Sequence, residues 1–315
     1  MLEAVTEFLN LTYEDGWDVM HTLIRAILDD SNVTLPVFQY RREAQQSAIK
    51  QIEQHWDAEV SVLIVNDAST EERPATELKF KKIKSVRVVN MKQNRGHARC
   101  NAAGLKYLTE KENFDYVILM DGDGEDRPEE IRQLIEKAKE YPDTVITANR
   151  IKRSEGLLFK FCYLIHKYLT FVFTGQSIKF GNYTCLTKSA VDKMSKEAAT
   201  WSSFSGSLSK IAKDLRSVPS IRGLRYFGPS KMSFVNLLKH SLSIVAVYKF
   251  TVLIRSIIFL AVYIFLVSQY ISVVTFIPIA LVIVMIISVF VLSGRENITE
   301  LNSSLENINN IDNLK

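Results

Sequence analysis

The residues most suited to chemistry stand at Asp121-Gly122-Asp123-Gly124-Glu125-Asp126, four carboxylates within a run of six residues. Such a cluster repels itself unless a cation sits among it. Hard oxygen donors suit Mg²⁺ or Mn²⁺, which often bridge to phosphates, and the two glycines let the backbone approach a ligand. The loop follows an apolar run at 116–120, and ligands of open α/β sheets bind at the carboxyl ends of strands. A second acidic strand end, Asp67, closes the run EVSVLIVNDAST. Two other readings stay open: a solvated acidic turn, and a calcium loop, although the bidentate Glu and flanking helices of an EF-hand are absent. Basic residues form the complement. Arg150, Lys152 and Arg153 follow another β-rich run, and Arg225, Ser230 and Lys231 precede a long apolar stretch. Arg and Lys are the side chains that hold phosphate. Cys100, Cys162 and Cys185 are far apart, with no C-x-x-C spacing, so the sequence points to reduced structural thiols rather than a zinc site or disulfide framework.

The elements that must position these groups alternate. Residues 1–32 read as a helical extension whose best helical stretch is WDVMHTLIRAIL. VTLPVF at 33–38 is a strand candidate, and 41–56 has a helical charge pattern. Strands are expected at 59–66, 84–91, 116–121 and 143–150, with helices from HARCNAAGLKYLTEK and PEEIRQLIEKAKEY between them. Pro128 with Glu129 and Glu130 is a helix-start signal. Strands and helices at this spacing make βαβ units and a mostly parallel α/β sheet. LLFKFCYLIHKYLTFVF at 157–173 is amphipathic and aromatic, either an interfacial helix or one packed on the sheet.

The chain has 315 residues, 47% hydrophobic, with net charge +4. That charge is too small to indicate nucleic acid as a partner. The apolar residues are unevenly spread. From 250 to 292 the sequence is almost continuously apolar, with Arg255 its one charge. A bilayer span needs about 20 residues, so the run reads as two membrane helices, 250–268 and 271–292, broken at Ser268-Gln269-Tyr270. The alternative is a hairpin buried in a soluble core. Lys231, Lys239, Lys249 and Arg255 precede the hairpin and Arg295 follows it, whereas the turn carries no Lys or Arg. The positive-inside rule then places the N-terminal region and the tail in the cytoplasm, on an inner, multi-pass membrane protein, with Arg255 snorkelling toward that face. The first residues carry no signal-peptide pattern. The tail, 293–315, is polar and Asn-rich and is expected to be flexible or weakly helical. The expected organisation is therefore an extension at 1–32, an α/β domain at 33–235, a juxtamembrane amphipathic segment at 236–249, two membrane helices at 250–292 and the tail.

Six stretches, taken in order, carry a family resemblance. They are IVNDAST at 64–70, NRGHARCNAAGL at 94–105, LMDGDGEDRPEEI at 119–131, ANRIKRSE at 148–155, GNYTCLTKSAVDKM at 181–194 and RYFGPSKMSF at 225–234. With the terminal hairpin, the chain resembles the family 2 glycosyltransferases of GT-A fold, in the branch that acts on polyprenyl phosphates. The resemblance implies inverting transfer from a nucleotide-sugar, UDP- or GDP-linked, to a lipid phosphate at the membrane. It implies nucleotide contacts at Pro36, Phe38, Asp67, Asn94, Gly96, Arg99 and Asp121, and Mg²⁺ or Mn²⁺ at Asp123 with Glu125 as its neighbour. Asp121 and Asp123 are implied as catalytic, Asp126 only as a weak candidate base because a phosphate acceptor is already nucleophilic. Arg150, Arg153, Arg225, Ser230 and Lys231 are implied to hold the acceptor phosphate. A homo-oligomer is left open. Against the family's usual P-x-Y-N-E opening, this chain has Pro36-Val37-Phe38-Gln39-Tyr40, lacking the Asn and Glu. Two further readings stand beside this one: transfer to a saccharide or lipid-linked intermediate of a surface polysaccharide, and a non-catalytic nucleotide-sugar-binding scaffold.

Overall fold

A computed structural model describes residues 21–26, 60–68, 83–122, 125–152, 157–223 and 234–314. The expected strand at 33–38, the helical pattern at 41–56, and Pro36, Phe38, Asp123, Arg153, Arg225, Ser230 and Lys231 lie outside the described residues.

One eight-stranded sheet organises the domain, in the order β7-β5-β6-β4-β1-β2-β3-β8. The strands are β1 (His21–Ala26), β2 (Val60–Asn66), β3 (Ile83–Met91), β4 (Tyr116–Asp121), β5 (Val145–Lys152), β6 (Phe180–Thr187), β7 (Leu215–Ile221) and β8 (Ile308–Asn313). From their pairings, β2, β3, β4, β5 and β7 run one way, and β1, β6 and β8 run against them. The expected α/β sheet is therefore mostly parallel in strand direction and mixed in its pairing. Helices α1 (His97–Lys111), α2 (Ile131–Glu140), α4 (Lys188–Met194) and α5 (Phe204–Ile211) cover it.

Both faces of the sheet are buried, so its strands read as unbroken apolar runs rather than alternating ones. Along β2, Val62 and Ile64 join one core with Leu134, Ile135 and Ala138 of α2. Leu63 and Val65 join the other, with Ala103, Leu105 and Leu108 of α1 and Leu208 of α5. In α2 the buried residues Ile131, Leu134, Ile135 and Ala138 fall on one helical stripe, and Pro128 opens the 3₁₀ turn that leads into it. Cys100 and Cys185 are free, buried thiols.

Two expectations are corrected. His21–Ala26, within the stretch read as helical, is a strand paired antiparallel with both β2 and β4. Six residues are too few to separate a helical period from a strand period, and two strands needing backbone partners outweigh local propensity. The tail is helical at first, as one of the two expected alternatives has it, but ends in a strand. It forms α9 (Ile298–Asn302), a 3₁₀ turn over Ser304–Asn307, and then β8, antiparallel to β3. Leu301 packs with Trp201 and Ala102, and Leu314 enters the core of α2.

The remaining helices form a separate layer: α3 (Leu157–Thr174), α6 (Phe234–Ala246), α7 (Lys249–Val267) and α8 (Val273–Ser293). The last two are long and apolar enough to cross a membrane, and only 11% of each apolar window is buried. That excludes the hairpin as a soluble core, because Phe265, Val273 and Val291 face outward at 79%, 85% and 71% exposure. The turn spans 268–272, and the Tyr263 hydroxyl donates to the Thr275 carbonyl across it at 3.0 Å. Phe173, Val245, Val252, Val282 and Val289 knit the layer together. Helix α3 packs on α7 through Phe173 and Phe259, and exposes Leu164, Tyr168 and Phe171 on its other side. Arg255 donates to the carbonyls of Phe171 and Val172, at 3.4 and 3.0 Å, so it caps the end of α3 rather than snorkelling. Lys249 and Glu296, one at each foot of the hairpin, pair at 3.2 Å.

Candidate active site

The carboxyl ends of β2, β3, β4, β5 and β7 share one edge of the sheet, as the pairings Val65↔Val89, His21↔Asp121 and Lys152↔Ile221 require. Asp67, Asp121, Asp126 and Arg150 stand along that edge. Strand β6 begins there because it runs antiparallel to β4, which brings Asn182 beside Asp121.

Asp67 is 2% exposed. Its Oδ1 accepts the backbone N–H of Arg95 at 2.9 Å and its Oδ2 that of Gly96 at 2.7 Å. Gly96, with φ +88°, caps α1 in a conformation that favours glycine. A carboxylate on these N–H groups also complements the positive end of the α1 dipole. Asp67 thus fixes the loop over Asn94–Arg99. Beside it, Asn66 donates to Asn90 at 2.8 Å, and Asn90 donates to Asp312 of β8 at 2.8 Å. The start of that loop is therefore braced by the tail.

The acidic loop is internally neutralised. Asp126, 2% exposed, accepts the Asp121 N–H at 2.8 Å through Oδ2 and pairs with Arg150 at 3.3 Å through Oδ1. Glu125 forms an ion pair with Arg222, and its carbonyl accepts the Gly223 N–H at 2.8 Å. Burial works against the Arg150 charge, but Asp126, Asp121 and Glu125 outweigh it, and the guanidinium pKa lies above its ordinary value. Tyr183 donates to the Arg127 carbonyl at 2.7 Å, and burial holds its phenol well above the usual range. Arg150, expected on an acceptor phosphate, and Glu125, expected at a metal, are thus each engaged within the loop. Asp126 thus braces the loop.

Among the described carboxylates of the loop, Asp121 is the partly exposed one. Asn182 Nδ2 donates to its Oδ1 at 3.0 Å and lies 2.6 Å from His97 Nε2. The two amide hydrogens serve both neighbours when His97 accepts at Nε2 and carries its proton on Nδ1. The His97 ring meets that of His240 edge-on, with centroids 6.5 Å apart. His240 belongs to α6, so the helix entering the hairpin reaches the site. Sequence reading singled out neither His97 nor Asn182, although both lie inside quoted stretches. Their role depends on β6 entering antiparallel, which spacing does not reveal. His240 and Arg222 left no signal in the sequence.

Among the described residues, no group of three or more His, Cys, Asp and Glu side chains converges on one point. An ion held by one or two carboxylates and completed by substrate phosphates, the usual habit of Mg²⁺, needs no such group. Asp121, with Asp123 two residues on, could supply such a pair.

Residues 36–190 match the family model described as glycosyl transferase family 2. The match spans just under half of the chain, which therefore carries a family 2 glycosyltransferase domain. The family 2 stretch runs from before β2 to α4 and contains Asp67, the α1 loop, the acidic loop and Asn182. Among curated proteins, the chain is 28% identical over 185 residues to an undecaprenyl-phosphate 4-deoxy-4-formamido-L-arabinose transferase of Klebsiella pneumoniae (strain 342), covering 56% of this chain and 54% of that protein. It is 26% identical over 220 residues to a protein of the same name from Salmonella choleraesuis (strain SC-B67), covering 66% and 64%. The chain thus spans less than two thirds of the length of these relatives.

Proposed function

We propose that this family 2 protein is a membrane-anchored inverting glycosyltransferase that moves a sugar from a nucleotide-sugar onto a polyprenyl phosphate. The observation that carries the reading is the contact between His240 of α6 and His97 beside Asp121. It sets the strand-end carboxylate next to the root of the apolar hairpin, where a soluble donor and a lipid-borne acceptor can meet. The undecaprenyl-phosphate acceptor in the relatives' names supports the same class of acceptor.

In this reading Asp67 holds the α1 loop, whose exposed Asn94 faces the nucleotide. Asp121, oriented by Asn182, contacts the donor. A divalent ion at Asp121 and Asp123 would neutralise the departing diphosphate as a Lewis acid. The acceptor phosphate is already an oxygen nucleophile, so no side chain need take a proton from it. The sequestered carboxylate of Asp126 is compatible with that, since it is committed to Arg150 and the Asp121 N–H. The α7–α8 hairpin spans the inner membrane, with the catalytic domain in the cytoplasm.

The test supplies membranes containing the full chain with a panel of labelled UDP- and GDP-sugars and Mn²⁺ or Mg²⁺. Label should enter a solvent-extractable lipid phosphate, and Asp121→Asn should lower the rate by about 100-fold, the cost of removing one preorganised electrostatic group. Label appearing only in polymer would refute the acceptor. No transfer, with nucleotide binding indifferent to metal, would leave a non-catalytic scaffold.

A further inference from the structure

The loop between β3 and α1, residues 92–96, carries Asn94 and is held at both ends. At its far end, Asp67 takes the N–H groups of Arg95 and Gly96. At its start, the hold comes from the tail. The Lys92 N–H donates to the Asn307 carbonyl at 2.6 Å, and the Asn307 side-chain amide donates to the Gln93 carbonyl at 3.2 Å. Lys92 Nζ donates to the Glu306 carbonyl at 2.8 Å. Lys92, Gln93, Asn94 and Arg95 are all exposed, and an exposed segment opens easily unless its backbone groups are tied.

A second line from the tail runs to Asp67 itself. Asn310 and Asp312 lie on the half-buried face of β8. Asp312 Oδ1 accepts from Asn310 at 2.6 Å and its Oδ2 from Asn90 at 2.8 Å. Asn90 Oδ1 accepts in turn from Asn66 at 2.8 Å, one residue before Asp67. A carboxylate only accepts, so Asp312 fixes which way the Asn90 amide points, and Asn90 fixes Asn66. Asn66, Asp67 and Asn90 are 5%, 2% and 5% exposed, and such a chain is stronger when shielded from water. The ladder between β8 and β3 is made of backbone and asks for no acid at 312. Asparagine already serves that strand at 309, 310 and 313.

We infer that Asn307 and Asp312 are positioning residues of the donor site. The tail is a strap that fixes residues 92–96 and the turn carrying Asp67, so that Asn94 meets the nucleotide already ordered and less freedom is lost on binding. The inference rests on the proposed function, in which Asn94 faces the nucleotide.

The test titrates UDP and GDP, with Mn²⁺, into the full chain in neutral detergent, and follows deuterium exchange of the amides at 92–96. Asp312→Asn has the same shape and keeps the β8 ladder. Its one carbonyl oxygen does not replace two carboxylate oxygens, so either Asn90 or Asn310 meets an NH₂ group. It should weaken binding of whichever nucleotide the wild type takes by about fivefold, the worth of one net hydrogen bond, and quicken exchange at 92–96. Asn307→Ala should do the same from the other anchor. Asn313→Ala, on the exposed face of β8, should match wild type. In the transfer assay the donor KM should rise with kcat held, because the strap acts on donor binding. Unchanged affinity in both Asp312→Asn and Asn307→Ala overturns the inference. An equal loss in Asn313→Ala also overturns it, since the effect is then a general loosening of the strand, and so does a fall in kcat with KM unmoved. These outcomes leave the proposed function standing. A wild type that binds neither nucleotide, with metal or without, refutes the proposed donor and the inference with it.

Discussion

Four carboxylates in six residues suggest an open acidic mouth, yet two of them are met by cations from neighbouring strands. Asp126 and Glu125 are turned to Arg150 and Arg222, groups carried by the ends of β5 and β7. The arrangement leaves Asp121 partly exposed and ties Glu125 and Asp126 to the ends of β5 and β7. It also predicts an asymmetry. Arg150→Met leaves the buried Asp126 without its cation, and should destabilise the protein by about 3 kcal/mol, the usual cost of breaking a buried pair from one side. Arg150→Met with Asp126→Leu should recover much of that, read as melting temperature. If Arg150 served the acceptor alone, the single change would leave the melting temperature unmoved. The sequence made the acidic loop and its strand legible, because an apolar run ending in Asp-Gly-Asp is a local pattern. It could not reveal which basic residue answers which acid. Resemblance and charge set Arg150 on the acceptor side, whereas Asp126 is 24 residues away in sequence and only the adjacency of β5, β6 and β4 brings the two together.

The same contrast holds for elements. Four of the five strands that run one way, β2, β3, β4 and β5, were readable, since burial leaves continuous apolar runs; β7, largely exposed and containing Pro219, was not. The strands that run against them were harder. β1 is six residues long, and β8 reads Ile-Asn-Asn-Ile-Asp-Asn, polar enough to pass for a loose tail. What makes β8 a strand is its partner. It covers the edge of β3, its Asp312 accepts from Asn90, and Asn310 donates to Asp312 at 2.6 Å. An edge strand needs only one apolar face and is served by polar side chains on the other. Deleting residues 298–314 should therefore do more than shorten the chain. It bares the β3 edge and the Trp201–Ala102 surface that Leu301 covers, so the truncated protein should melt at lower temperature and aggregate. Asp312→Leu, which keeps the strand but leaves the Asn90 amide unmet, should cost about 1–3 kcal/mol. A truncated protein as stable as the full chain would mean that the tail is only an appendage.

At the scale of the whole molecule, the return of the tail to the sheet constrains how the hairpin can sit. β8 pairs with β3 and Lys249 pairs with Glu296, so the segments before α7 and after α8 lie on the same side as the catalytic domain. A bilayer crossed by α7 must then be recrossed by α8, and the turn at 268–272 must emerge on the far face. Charge alone gave the same orientation from the sequence, through lysines and arginines at the feet and none in the turn. The two arguments are independent, one resting on strand pairing and the other on charge distribution. A small epitope inserted after Gln269 should be accessible to antibody on spheroplasts, and one appended after Lys315 only once the inner membrane is permeabilised. Sugar transfer should survive the first insertion, because residues 268–272 are remote from Asp121 along both apolar helices. Exposure of both epitopes on the same face would require the helices to lie along the surface rather than cross it, and the proposed meeting of a cytoplasmic donor with a membrane-borne acceptor would have to be rebuilt on an interfacial anchor.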